Sequence, residues 1–146
     1  MNTQSICALV IVGLSGGSGK SVASVGLLAA LKARGLQVQP FKKGPDYIDA
    51  GWLAQAAGRP CYNLDAYLAG PEQVQATFYG RLAGADLALV EGNRGFFDGV
   101  DAAGSSFMAE LAILLQPPVL LMINCTKATR CQKIASGEPR SPKSPL

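Results

Sequence analysis

Nine consecutive residues, Gly13-Leu14-Ser15-Gly16-Gly17-Ser18-Gly19-Lys20-Ser21, constrain this chain more than any others. Before them runs Ile6 to Val12, apolar throughout and without alternation, the pattern of a strand covered on both faces in a parallel sheet. After them Val22, Val25, Leu28 and Leu31 recur at helical spacing, which predicts a helix over Lys20 to Ala33 with Gly35 at its left-handed C-terminal cap. A buried strand, a glycine loop and a helix opening on Gly-Lys-Ser form the context in which backbone N–H groups wrap a phosphate. The loop is a long variant: five residues separate Gly13 from Gly19, where the common form has four. Glycines at 16, 17 and 19 permit the positive φ angles such a wrap requires.

On this reading Gly13, Ser15, Gly16, Gly17, Ser18 and Gly19 line a nucleotide phosphate. Lys20 neutralises the β- and γ-phosphates, and Ser21 ligates Mg²⁺. No Asn-Lys-x-Asp segment is present to read guanine; the nearest is Asn124-Cys125-Thr126-Lys127, so ATP is the expected nucleotide.

The rest of the chain repeats the alternation. Gln37 to Phe41 reads as a second strand, Gly51 to Ala57 as a short helix stopped by Gly58, and Arg59 to Gly70 as irregular. Pro71 to Leu82 reads as a helix with proline in its first turn, and Leu87 to Val90 as a third strand ending at Glu91. A glycine-rich loop over Gly92 to Gly104, a helix from Ser106 to Leu115 and a fourth strand from Val119 to Ile123 complete the pattern. Strands alternating with helices behind such a loop predict an α/β fold: a doubly wound, mostly parallel sheet, P-loop NTPase-like. Residues 1–125 are expected to form the ATP-binding domain. Residues 126–146, rich in Ser, Pro and basic side chains, are expected to be a disordered tail.

Composition removes several chemistries. The chain has no histidine among its 146 residues, so Ser-His-Asp and Cys-His nucleophile systems and His-ligated zinc cannot be built from it. Its net charge of +3 resides in the tail, where five basic residues face one acid; the first 125 residues carry eight basic and nine acidic side chains. Apart from Lys42 and Lys43 no basic cluster marks a nucleic-acid surface, and no such partner is expected. Cys7, Cys61, Cys125 and Cys131 form no C-x-x-C pair and read as buried free thiols of a cytoplasmic protein. The run from Ile6 to Leu14 is too short to span a bilayer and lacks a basic flank, so neither a signal peptide nor a membrane partner is expected.

In open α/β sheets ligands lie beyond the carboxyl ends of the strands, which places the segments after strands two and three beside the phosphate loop. Both are acidic: Lys42-Lys43-Gly44-Pro45-Asp46-Tyr47-Ile48-Asp49 and Glu91-Gly92-Asn93-Arg94-Gly95-Phe96-Phe97-Asp98-Gly99. Carboxylates would repel a polyphosphate unless a cation lay between, and Mg²⁺ held by Ser21 and one carboxylate from each segment resolves the conflict. Asp46, Asp49 and Asp98 also suit turn chemistry. Glu91, closing an apolar strand, needs a buried partner. Lys42 is expected on the transferred phosphate and Tyr47 on substrate, while Trp52 and Tyr62 read as packing residues.

At these segments, and at Gly58-Arg59-Pro60 and Asn63-Leu64-Asp65, the sequence resembles the N-terminal domain of the cobyrinic acid a,c-diamide synthases. The five-spacer loop is also that of this group and its dethiobiotin synthetase relatives. The resemblance covers about residues 6 to 125; Lys43 departs from it, standing where the family often has a small apolar residue. It implies ATP-dependent amidation of the a and c side-chain carboxylates of a corrinoid macrocycle, cobyrinic or hydrogenobyrinic acid, through an acyl phosphate in cobalamin biosynthesis. Carried over position by position, Gly19, Lys20 and Ser21 bind nucleotide phosphate, Asp46 and Glu91 bind magnesium, and Asp49 and Asp98 organise the macrocycle carboxylate and acyl phosphate. The family continues with further sheet and helix and draws ammonia from glutamine through a glutaminase domain, neither of which this sequence shows; the resemblance therefore implies a fold incomplete at the C-terminus and a truncated or frame-shifted product.

Other readings stay open. A ParA/MinD-like ATPase would carry a lysine early in the loop, where this chain has Ser15. Dethiobiotin synthesis, also a carboxylate activation, fits the loop but not Gly-Pro-Asp-Tyr-Ile-Asp. An inactive nucleotide-binding fragment and a homodimer are also compatible with the sequence.

Overall fold

A computed structural model describes residues 7–96 and 108–125. Asp98, Cys131 and the tail lie outside the described residues, as do residues 97–107 of the glycine-rich loop. The elements in chain order are β1 (Cys7–Gly13), α1 (Lys20–Ala33), β2 (Val38–Lys43), α2 (Ile48–Ala57), β3 (Tyr62–Leu64), α3 (Ala66–Ala69), α4 (Pro71–Gly80), β4 (Leu87–Gly95), α5 (Met108–Leu115) and β5 (Val119–Met122). The strands form one parallel sheet in the order β3-β2-β4-β1-β5.

Because successive strand residues point to opposite faces, the apolar strands feed two cores. Val10, Phe41 and Val90 pack against Val74 and Phe78 of α4 and Leu111 of α5. On the other face Ile11, Val38 and Leu89 pack against Leu28 of α1 and Leu53 of α2. The sheet is therefore doubly wound, as the alternation predicts. Truncating the fully buried Leu28 to alanine removes contacts with both the sheet and the helix layer, a loss of about 2–5 kcal/mol.

The same period of two sets the site. Val38 and Lys42 share a face of β2, Leu89 and Glu91 the same face of β4, and Lys42 lies in register with Glu91. Both charged residues consequently end up under α1 and α2 at the carboxyl side of the sheet.

Several boundaries differ from expectation. The stretch from Arg59 to Gly70 is not wholly irregular: Tyr62–Leu64 pairs with Phe41–Lys43 as an edge strand, and Asp65 caps α3 through the N–H groups of Tyr67 and Leu68. Three strand residues are too few to show a period. The third expected strand does not stop at Glu91 but runs to Gly95, because a bulge lets it rejoin β1 at Gly13. β2 runs on through Lys43, and α2 begins at Ile48 instead of Gly51, since Asp46 Oδ1 accepts from the N–H groups of Ile48 and Asp49, both at 3.1 Å. Cys7 and Cys125 are exposed free thiols and not buried ones, since they fall at or beyond strand ends; Cys61 is half-buried. Trp52, expected to pack, is 62% exposed on the outer side of α2, whereas Tyr62 does pack, against Phe41.

Candidate nucleotide and carboxylate site

The glycine loop closes over its own start. A Cβ on Gly13 would overlap the Ser18 hydroxyl and crowd the Ser15 carbonyl and Lys20 Nζ, so only glycine lets the loop fold back. Gly17 and Gly19 take φ of 70° and 84°, left-handed values at which a side chain would be strained, while Gly16 has an ordinary φ. Gly19 ends the loop as the N-cap of α1 and donates no side-chain cap, which leaves the helix N-terminus to an anion. Ser15, Gly16 and Gly17 are exposed; Ser18 is buried, and its hydroxyl has no partner among the described residues.

Lys20 and Ser21 diverge from this cap. Lys20 is buried, with its Nζ donating to the Arg94 carbonyl at 2.7 Å. Ser21 Oγ lies 2.8 Å from Glu91 Oε1 and 3.3 Å from Asp49 Oδ2. Four expected site residues thus converge, because Lys42 Nζ joins them at 2.7 Å from Glu91 Oε1 and 3.1 Å from Asp49 Oδ2. Asp46 is a more distant member: its Oδ1 holds the start of α2, and its Oδ2 is 3.9 Å from Lys42 Nζ. Tyr47 is 82% exposed at the rim.

Charge in the cluster is balanced by pairing. Burial opposes the Lys42 ammonium, but the hydrogen bonds and attraction of Glu91 and Asp49 outweigh it and raise its pKa above the ordinary 10.5. Partial burial pushes Asp49 upward, yet Lys42, Ser21 and Asp46 together hold its carboxyl below the ordinary 3.8. Lys42 is thereby the partner that Glu91 requires.

One oxygen is left over. Glu91 Oε2 is buried and has no hydrogen-bond partner among the described residues. The oxygens of Ser21, Glu91 and Asp49 are hard donors, and their 2.8 and 3.3 Å separations are close to the roughly 2.9 Å between adjacent ligands of an octahedral magnesium ion. Among the described residues no three His, Cys, Asp or Glu side chains form a metal cage. Magnesium needs none, since it takes one or two carboxylates and completes its shell with water and phosphate oxygens. The donor set therefore fits that ion.

Two features of the site have weak sequence signals. The Arg94 carbonyl that holds Lys20 is a backbone group, invisible to a reading of side chains. The Lys42–Glu91 pair joins residues 49 positions apart, and only the strand order reveals it.

Solved structures share this architecture. The signal recognition particle receptor FtsY from Elizabethkingia anophelis superposes with a TM-score of 0.54 at 17% identity, over 92% of this chain and 46% of that one. The signal recognition particle 54 kDa protein from Aeropyrum pernix, in complex with GDP, gives 0.52 at 20% identity, over 93% of this chain and 33% of that one. At such identities the likeness concerns the fold alone: a parallel sheet with a phosphate loop at its carboxyl edge, the P-loop NTPase class. Within that class the chain belongs to the family described as CobQ/CobB/MinD/ParA nucleotide binding domain, whose model matches residues 9–117. It is 54% identical over 113 residues to the cobyrinate a,c-diamide synthase of Magnetococcus marinus, covering 77% of this chain and 24% of that protein. It is 49% identical over 123 residues to the hydrogenobyrinate a,c-diamide synthase of Streptomyces coelicolor, covering 84% and 25%. The resemblance read from the motifs is thus borne out, and the chain spans about a quarter of the length of these relatives.

Proposed function

We propose that the chain is the ATP-binding, carboxylate-activating part of a cobyrinate or hydrogenobyrinate a,c-diamide synthase, a carbon-nitrogen ligase of cobalamin biosynthesis. The observation that carries this reading is the convergence of Ser21, Asp49, Lys42 and Glu91 beside the phosphate loop in a chain about half identical to two such synthases. A carboxylate is a poor electrophile. Transfer of the γ-phosphoryl group of ATP to one oxygen of a macrocycle carboxylate breaks the bond to ADP and forms an acyl phosphate, which ammonia then attacks with loss of phosphate.

Each residue has a task in that sequence. The glycine loop and Lys20 bind the phosphates, and Lys20 offsets charge on the transferring group. Ser21, Glu91 and Asp49 would hold magnesium, which would screen the phosphate oxygens from the carboxylates. Asp46 keeps Asp49 in place by capping the start of α2, so its part in metal binding is through position as much as through its second oxygen. Lys42 orients Glu91 and Asp49 and would act on the transferred phosphate from the same sheet edge. Tyr47, exposed at the rim, would meet the macrocycle, and the resemblance assigns Asp98 to the acyl phosphate. Ammonia derives from glutamine through a glutaminase unit, and the reaction proceeds in the cytoplasm.

The test is a chimera in which the 113 matched residues replace those of the Magnetococcus marinus synthase. It should amidate cobyrinic acid with ATP and ammonia, and Lys20→Ala should abolish the product. A folded chimera that makes no amide under any nitrogen source would overturn the reading.

A further inference from the structure

Arg94 is an anomaly. It is exposed, it is not glycine, and it has φ of 43°, in the left-handed region where a Cβ is strained. Such a conformation persists only where its surroundings over-determine it. Here they do: Asn93 Oδ1 accepts from the Arg94 N–H at 3.0 Å, Gly95 stays in register with Gly13, and the Phe96 N–H donates to the Gly13 carbonyl at 2.7 Å. Between Ile11 and Gly13 of β1, β4 advances from Glu91 to Gly95, so the extra residues form the bulge that carries Arg94. The outcome is an Arg94 carbonyl aimed at Lys20 Nζ, 2.7 Å away.

A neutral carbonyl is a weaker partner for an ammonium than a phosphate oxygen is. We propose that the Arg94 peptide is a latch on the phosphate loop: its carbonyl holds Lys20 while the loop is empty, and the triphosphate, by taking Lys20, releases the strained peptide and reshapes residues 93–96. This rests on the nucleotide-binding reading and deepens it. The strain is the working part, since a ligand shifts a two-state element only by its differential affinity for the two states. Anything that makes the left-handed state easier holds the latch shut.

The test compares three replacements that all lack the guanidinium: Arg94→Ala, Arg94→Gly and Arg94→Val. Calorimetric titration of the chain with Mg·ATP gives affinities, and thermal unfolding without nucleotide gives midpoints. Glycine removes the left-handed penalty, so Arg94→Gly should bind ATP about threefold to tenfold more weakly than Arg94→Ala while unfolding at a higher temperature. Arg94→Val, with a branched Cβ that resists positive φ, should bind more tightly than Arg94→Ala and unfold at a lower temperature. A purely structural role predicts that affinity follows stability; the latch predicts that the two move in opposite directions. Affinities of the glycine and alanine variants within twofold of each other, or a tighter glycine variant, overturn the latch. Should the valine variant not fold, the glycine and alanine pair decides alone. If the unsubstituted chain itself fails to bind ATP, the nucleotide reading falls and takes the latch with it.

Discussion

Two lysines lie buried within one face of the site, and they are held in opposite ways. Lys20, 8% exposed, has its ammonium on a neutral backbone carbonyl. Lys42, 2% exposed, has its ammonium among three carboxylates, at 2.7, 3.1 and 3.9 Å. Breaking a hydrogen bond to a carbonyl leaves a neutral group behind. Removing Lys42 from Glu91 strands a carboxylate that is 0% exposed. The first lysine is thus held for exchange and the second for structure, although both end strands or loops at the same sheet edge.

The largest effects test that division through stability. Lys42→Met should cost about 3–5 kcal/mol, the range for breaking a buried ion pair from one side. Lys20→Met should cost about 1.5–3 kcal/mol, the worth of a hydrogen bond involving a charged group, and nearer the lower end. Urea unfolding of the two variants measures both, and equal losses would erase the distinction. In ATP binding the order reverses. Lys20→Met should lower Mg·ATP affinity at least about tenfold, and Lys42→Met in a folded chain by less.

A second binding experiment separates the carboxylates of the cluster from others nearby in sequence. Glu91→Gln should remove most of the magnesium-dependent part of ATP binding, about tenfold, because it deletes a charge in contact with Ser21. Asp65→Asn should change it by less than about twofold: Asp65 caps α3, and asparagine serves equally as a cap. Titrations with and without magnesium check the pair, and the reverse order would remove Glu91 from the metal site.

The two lysines were not equally legible in the sequence. Lys20 stands in a loop whose strand, glycines and helix agree with one another, so its place could be read directly. Lys42 was legible as a residue at the right edge, but not as the centre of an ion-pair cluster, since its partners come from α2 and β4 and are fixed by strand order. The doubly wound sheet followed from unbroken apolar strands alternating with helices. β3 and the bulge at Gly92 to Arg94 did not, because three residues make no period and a bulge is a backbone event with no side-chain signature. Asp46 shows the same limit in a finer way: turn chemistry and metal ligation use the same side chain, and only the hydrogen bonds to Ile48 and Asp49 show that its first oxygen serves the helix.

A smaller effect concerns pH. Asp49 has its pKa held below 3.8 in the folded chain, so its stabilisation is present above that value and is lost as pH falls through the folded pKa. Lys42 has its pKa raised above 10.5, so its share is complete below 10.5 and is lost as pH rises through the folded pKa. The stability difference between the unsubstituted chain and Asp49→Asn should therefore stay level across neutral pH and shrink below about pH 4. Urea midpoints at several pH values give that curve. A difference that grew on acidification would mean that the Lys42 cluster does not depend on an ionised Asp49.

The smallest effect uses a cysteine as a reporter on the structural lysine. Burial pushes the Cys61 thiol up to about 12; Glu91 and Asp46 push in the same direction, and Lys42 against it. At mildly alkaline pH Cys61 is almost wholly the unreactive thiol, whereas Cys7 and Cys125 are exposed and should be alkylated first. Lys42→Met removes the one positive charge that draws the Cys61 pKa down, so in a variant that stays folded Cys61 should react more slowly still. Lys20→Met should leave that rate unchanged. Mass spectrometry of partially alkylated chain separates the sites. Faster labelling of Cys61 in Lys42→Met would show that the cluster had opened, which would make Lys42 a structural element of the whole sheet edge and not of the carboxylates alone.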